Sequence, residues 1–249
     1  MASQPENTLP MPLFYESIAP LSSQLHPNHG LTMRATFPET KITHAVPITV
    51  DEFAVVQRHY PIVFGLGDGP APLALLGLNE GVNTFVDAEG NWREDTYIPA
   101  YVRRYPFLLA KLTPESTELS LCFDDSSPLV AEGVGEKLFD GDQPSETTKN
   151  ILQFCEQFEQ SVARTRAFVD ELDKSGLLID GEFSIARDNE QPAIYRGFRM
   201  VSEEKLQEMR GDQARKMIQN GALGLVYAHL FSLANLREIY ARQVLQAAA

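Results

Sequence analysis

An α+β fold is predicted, with a central antiparallel β-sheet (a meander) followed by a helix-rich C-terminal half. Short apolar runs separated by turn residues fill residues 61–125, and long stretches with helical periodicity fill residues 145–245. The two patterns segregate along the chain rather than alternate, which disfavours a doubly wound parallel sheet.

Residues 1–42 read as a proline-punctuated N-terminal arm, with Pro5, Pro10, Pro12, Pro20 and Pro27 leaving little room for a helix or a central strand. Part of this arm is expected to be ordered only by contact. Residues 43–249 read as a single domain, mainly β over 43–144 and mainly α over 145–249. A short helix should begin near Val50, because Thr49 and Glu52 have capping-box spacing, and Pro61 should end it. Ile62–Phe64, Leu73–Leu78 and Thr84–Val86 are strand candidates separated by turn residues. Phe107–Leu112 and Glu118–Phe123 flank Thr113-Pro114-Glu115-Ser116 as a hairpin, and Leu119, Leu121 and Phe123 alternate with polar neighbours. A helical turn is expected near Ala100–Arg104. From about Ser145 to Lys174, Ile151, Phe154, Cys155, Phe158, Val162, Thr165, Val169 and Leu172 recur at steps of three and four, with Gly176 placed to cap the helix end. Phe183–Ala186 and Ala193–Gly197 suggest a second hairpin. Ser202 should cap a short helix, and residues 212–219 and 222–245 should form two more, broken at Asn220-Gly221.

Composition excludes several function classes. The 249 residues carry 21 basic and 34 acidic side chains, a net charge of −13. Such a field repels phosphate backbones and anionic membranes, so no nucleic-acid partner is expected. Cys122 and Cys155 cannot form a disulfide framework and lack metal-ligand spacing. The first 30 residues lack the basic start and unbroken apolar stretch of a signal peptide. The most apolar segment, Ala222–Leu236, is too short for about 30 Å of hydrocarbon. No membrane insertion is expected, and the expected location is the cytoplasm.

Several motifs invite chemistry and fall short of it. Gly65-Leu66-Gly67-Asp68-Gly69 lacks the third glycine and following helix of a dinucleotide loop, and the Gly-Lys-Ser/Thr of a Walker loop, so it reads as a hairpin turn. His26 and His29 form an HxxH pair with Pro27 between them, which reads as two solvated loop histidines rather than a metal site. No Gly-x-Ser-x-Gly elbow exists. No catalytic residue, metal site or cofactor is assigned.

Residues 97–107 are the most unusual stretch: Tyr97, Tyr101, Arg103, Arg104 and Tyr105 lie close together in an otherwise acidic chain. A guanidinium fork matches a carboxylate, and tyrosine adds a π face and a hydroxyl. Recognition of an acidic ligand or an acidic protein segment is the functional reading; the structural one is an arginine tied to Asp124 or Asp125 among packed tyrosines. Adjacent side chains point in different directions, so only one of the two arginines is expected to face a site. His229 sits inside an apolar helical stretch, where hydrogen-bonded core is the commoner role.

The strings Tyr60-Pro61-Ile62-Val63-Phe64, Leu76-Gly77-Leu78, Tyr97-Ile98-Pro99-Ala100-Tyr101 with Arg103-Arg104-Tyr105-Pro106-Phe107, Leu138-Phe139, Gly197-Phe198 and Tyr227-Ala228-His229-Leu230 with Ser232-Leu233 resemble the bacterial SapC family. The resemblance runs from about His44 to Arg242. The family is named after a gene cluster for a surface array, and its members are often encoded beside TonB-dependent receptors, tryptophan-halogenase-like flavoproteins and cupin-type proteins. The resemblance implies a non-catalytic accessory protein of a nutrient-uptake or surface-modification system, with a protein or peptide partner. The candidate binding residues are Tyr97, Tyr101, Arg103, Arg104, Tyr105 and His229. An enzyme acting on a peptide or carbohydrate derivative through a Tyr/Arg/His pocket is the alternative, and a surface-layer structural protein is a second one.

Overall fold

The computed structural model describes residues 11–67, 69–113, 115–187 and 190–247. In chain order, its strands are β1 (Ile18–Pro20), β2 (His29–Leu31), β3 (Ala45–Pro47), β4 (Ile62–Phe64), β5 (Pro72–Leu75), β6 (Phe107–Ala110) and β7 (Ser120–Asp124). They continue with β8 (Val130–Glu132), β9 (Glu136–Lys137), β10 (Phe139–Asp140), β11 (Gln143–Pro144), β12 (Leu178–Arg187) and β13 (Glu190–Val201). The helices are α1 (Phe53–Val56), α2 (Ala100–Arg104), α3 (Glu146–Lys174), α4 (Glu203–Gln207), α5 (Gly211–Gln219), α6 (Ala222–Ser232) and α7 (Asn235–Ala247). The fold is α+β, with antiparallel sheets and a helix-rich C-terminal part.

Contacts divide the described residues into two compact units, one of residues 11–34 and 104–156, the other of residues 35–103 and 157–247. In the first unit, β1-β7-β6 form one sheet and β8-β2-β9 another, and β10 pairs with β11. Prolines do not keep residues 11–34 out of this structure. His29–Leu31 lies between them, free of proline, and runs centrally between β8 and β9. Gly30 is required there: a Cβ would lie 1.8 Å from the Val134 carbonyl oxygen. The core packs Phe107, Phe123, Val130, Leu138, Phe139 and Cys155 together, and each large apolar side chain buried contributes about 1.5–3 kcal/mol.

The second unit is built on the five-stranded sheet β12-β13-β4-β5-β3. Its central strand β4 is short and buried: Ile62, Val63 and Phe64 are inaccessible to solvent, and Val63 pairs with Leu73 of β5. Gly65 N–H donates to the Ala71 carbonyl at 2.9 Å and closes the turn between them, within which Asp68 lies outside the described residues. Pro114 of the β6–β7 hairpin lies outside them too. The Thr49–Glu52 capping box forms as the spacing predicts, leading through a 3-10 turn into α1. The α3 stripe is also as read, with Phe158, Thr165, Val169 and Leu172 buried in this unit and Gly176 in the left-handed region at φ +69°.

Several details differ from expectation. The strands of residues 61–125 do not form one meander: β4 and β5 join β3 and the distant β13, whereas β6 pairs with β7 and β7 with β1. Turn residues reveal which strands make hairpins but not which hairpins meet edge to edge. Thr84–Val86 makes only an isolated bridge, Val86 to Trp92. Residues 222–245 form two helices instead of one, because Leu233 and Ala234 turn tightly, their N–H groups bonding to the carbonyls of Leu230 and Phe231.

Candidate functional site

In the second unit, Glu52 organises the segment that leads to Arg103. Capping uses its Oε2, which accepts from Thr49 N–H at 2.9 Å and the Thr49 hydroxyl at 3.0 Å. The other oxygen, Oε1, accepts from the Ala100 N–H at 2.7 Å and the Tyr97 hydroxyl at 3.1 Å. A buried carboxylate with four donors is fully satisfied. Tyr97 is held a second time through its carbonyl, which accepts from the Tyr60 hydroxyl, and Tyr60 accepts in turn from Trp92 Nε1 at 3.1 Å. Burial pushes the Tyr60 phenol up to about 12, so it stays protonated and able to donate. Tyr97 is raised as well, first by burial and then by Glu52, with the Arg103 charge opposing.

Arg103 is the exposed end of this brace. Its Nη2 donates to the Tyr97 hydroxyl at 2.9 Å, its Nε donates to the Ile98 carbonyl at 3.0 Å, and its guanidinium carbon lies 5.4 Å from the Tyr97 ring centre. A solvent-facing arginine ordinarily samples many rotamers; here two hydrogen bonds and a ring face restrict it before any ligand arrives. Tyr101 is buried, its ring 6.3 Å from that of Phe158.

Arg104 and Tyr105 belong to the first unit, so the division falls between the two arginines. Arg104 is half-buried, its guanidinium carbon 6.0 Å from the Tyr15 ring centre. Tyr105 lies edge-on to Tyr15 at 5.2 Å and to Phe14 at 6.4 Å, with the Arg34 guanidinium 5.6 Å from its ring centre. Its hydroxyl donates to Asp124 Oδ2 at 3.2 Å. Asp124 thus has a tyrosine partner in this cluster. Its carboxylate also accepts from the backbone of Glu16 and Ser17 and from the Ser126 hydroxyl at 2.7 Å. Burial works to raise the Asp124 pKa, but the bonds from Ser126, Glu16 and Ser17 outweigh it and hold the group below the usual carboxylate value.

His229 lies apart from these groups in its bonding. It is fully buried, its Nδ1 donating to the Ile62 carbonyl at 2.7 Å and its Nε2 accepting from Val201 N–H at 3.1 Å. Both ring nitrogens are engaged by backbone, and burial lowers the pKa to about 4, so the ring is neutral. Its neighbour Ser232 accepts from Ile62 N–H at 2.8 Å, so α6 satisfies both backbone groups of Ile62. Among the described residues no cluster of three or more His, Cys, Asp or Glu side chains suits a metal ion. His26 and His29 are half-buried rather than solvated, their rings 4.8 Å apart and His26 edge-on to Phe123. Cys122 and Cys155 are free and buried.

Arg103 and Tyr97 stand out in the sequence, whereas the residues that hold them, Glu52, Tyr60 and Trp92, do not. Glu52 was visible only as a capping residue, and no local signal links it to Ala100, 48 positions away.

The fold and this geometry define an α+β protein with antiparallel sheets and an arginine–tyrosine helical turn braced by a buried carboxylate. The chain belongs to the SapC family, whose model matches residues 21–239. No curated protein and no solved structure matches it. Among the described residues, no helix is long and apolar enough to cross a membrane.

Proposed function

We propose that this protein is a non-catalytic accessory protein that binds an acidic protein or peptide segment through Arg103, in a nutrient-uptake or surface-modification system. One observation carries the reading: Arg103 is exposed yet restrained by Tyr97 and Ile98, on a turn fixed by Glu52. A pre-organised guanidinium binds a carboxylate with less entropic loss than a mobile one. On a chain of net charge −13 it also discriminates, because general attraction for anions is absent. The genomic company of SapC-like proteins, beside TonB-dependent receptors, supports the uptake setting. The commitment of both His229 nitrogens to backbone favours binding over the Tyr/Arg/His enzyme alternative. The cytoplasm is the proposed location.

The test is affinity purification of the full chain from its native host, compared with Arg103→Ala and with Arg215→Ala, an exposed arginine on α5. A partner recovered by wild type and by Arg215→Ala, but not by Arg103→Ala, supports the reading. Equal recovery with all three proteins contradicts it.

A further inference from the structure

A cavity of about 420 Å³ lies in the second unit between the β12–β13 hairpin and the corner joining α6 to α7. Phe183, Phe198 and Met200 line it from the sheet, and Leu233 and Leu236 line it from the helices, beside Glu182 and Arg237. Its size suits a small ligand, and its walls are apolar with few polar groups, as ligand sites usually are. The sheet side is shaped for this opening. Phe198 lies against Gly181, where a Cβ would come within 2.2 Å of the ring. The strand register shifts between Gly181 and Phe183, with Gly197 at φ +98° opposite, a bulge that interrupts regular pairing beside the cavity.

The two charged groups at the cavity differ in their partners. Glu182 is neutralised by Arg196, whose Nη2 approaches it at 2.6 Å and Nε at 2.8 Å. Arg237 makes no hydrogen bond or ion pair among the described residues. The local chemistry is therefore an apolar cleft with one uncompensated guanidinium. That combination recognises a molecule with an apolar body and a single carboxylate: the planar fork donates to the carboxylate oxygens, and the side chains around it replace water on the hydrocarbon. A phosphate dianion fits less well, since one arginine leaves its second charge unmatched near Glu182 on an acidic protein.

We propose that this cavity binds a small amphiphilic carboxylate, with its carboxylate on Arg237 and its chain among Phe183, Phe198, Met200, Leu233 and Leu236. The site uses none of the residues of the Arg103 brace and stands independently of it.

Octanoate, 1-octanol and octylammonium titrated into the full chain test this, followed by calorimetry and by methyl NMR of labelled methionine. Octanoate should saturate at one per chain and shift the Met200 methyl resonance, whereas octylammonium should not bind. Arg237→Gln, a substitution at an exposed position, should weaken octanoate by about tenfold and leave octanol unchanged. Ala234→Trp, which fills the mouth from the helix side, should abolish both. Absence of a Met200 shift at millimolar octanoate overturns the proposal, as does equal octanoate binding by Arg237→Gln. Octylammonium binding as tightly as octanoate overturns the carboxylate assignment. A dimer that Ala234→Trp dissociates would give the cleft to a second copy of the chain and overturn it too.

Discussion

His229 on α6 donates a hydrogen bond to the Ile62 carbonyl of β4 at 2.7 Å while accepting one from Val201 N–H of β13. The paired register between these strands contains Arg199 and Phe64, so the imidazole supplies a link where the ladder supplies little. A side chain stands in for a stretch of sheet.

That link makes stability depend on pH in a defined direction. The folded pKa of His229 is about 4, below its ordinary 6.5, so the unfolded chain binds the proton more readily. The contribution is therefore complete above about pH 6.5 and is lost as pH falls from there toward 4. Its full size is about 3 kcal/mol at about 1.4 kcal/mol per pKa unit. Urea denaturation at pH 7.5, 6 and 5 should show this decline. His229→Gln should be less stable at pH 7.5 and should lose much of the slope; an unchanged slope would refute the assignment.

Glu52→Gln keeps the shape of the side chain but turns one acceptor oxygen into a donor. Two of the four donors that converge on Glu52 then lose their acceptor. A loss of about 2–4 kcal/mol is expected, with faster amide exchange at Ala100. Chemical denaturation and hydrogen exchange check both quantities.

The parts that were legible and those that were not separate on sequence distance. The α3 stripe from Ile151 to Leu172 and the Thr49–Glu52 cap each depend on residues three or four apart, and both formed as read. The hairpins β4–β5, β6–β7 and β12–β13 depend on turns and were also readable. Pairings such as Ile18 with Asp124 or Phe64 with Arg199 join positions more than a hundred residues apart, and no local pattern encodes them. The candidate site divides the same way. Arg103 and Tyr97 stand out by composition, while Glu52, Tyr60 and Trp92 look like ordinary capping and core residues until the chain closes around them.

Asp124→Asn tests the corresponding hub of the first unit. One carboxylate oxygen becomes an amide nitrogen that cannot accept, so either the Ser17 and Ser126 donors of Oδ1 or the Glu16 and Tyr105 donors of Oδ2 lose their acceptor. The expected cost is about 2–4 kcal/mol at pH 7. Because the folded pKa is depressed, the wild-type contribution is present above the unfolded value near 4 and fades as pH falls through the folded one. The difference between wild type and variant should narrow in that acid range, as melts at pH 7 and pH 3 will show.

Gly30→Ala should disrupt the β8-β2-β9 sheet. The added methyl group would lie 1.8 Å from the Val134 backbone carbonyl oxygen, a clash that no rotamer change relieves. A loss of about 3 kcal/mol or more is expected, read as a lowered melting temperature.

The most direct test of Arg103 as the recognition group compares wild type, Arg103→Ala and Arg104→Ala for melting temperature and partner recovery together. Arg104, half-buried over Tyr15, should cost about 1–2 kcal/mol when truncated, whereas exposed Arg103 should change stability by about 0.5 kcal/mol or less. The account predicts that Arg103→Ala melts like wild type and fails to retain the partner. An Arg103→Ala protein that melts like wild type and still retains the partner in full would contradict it.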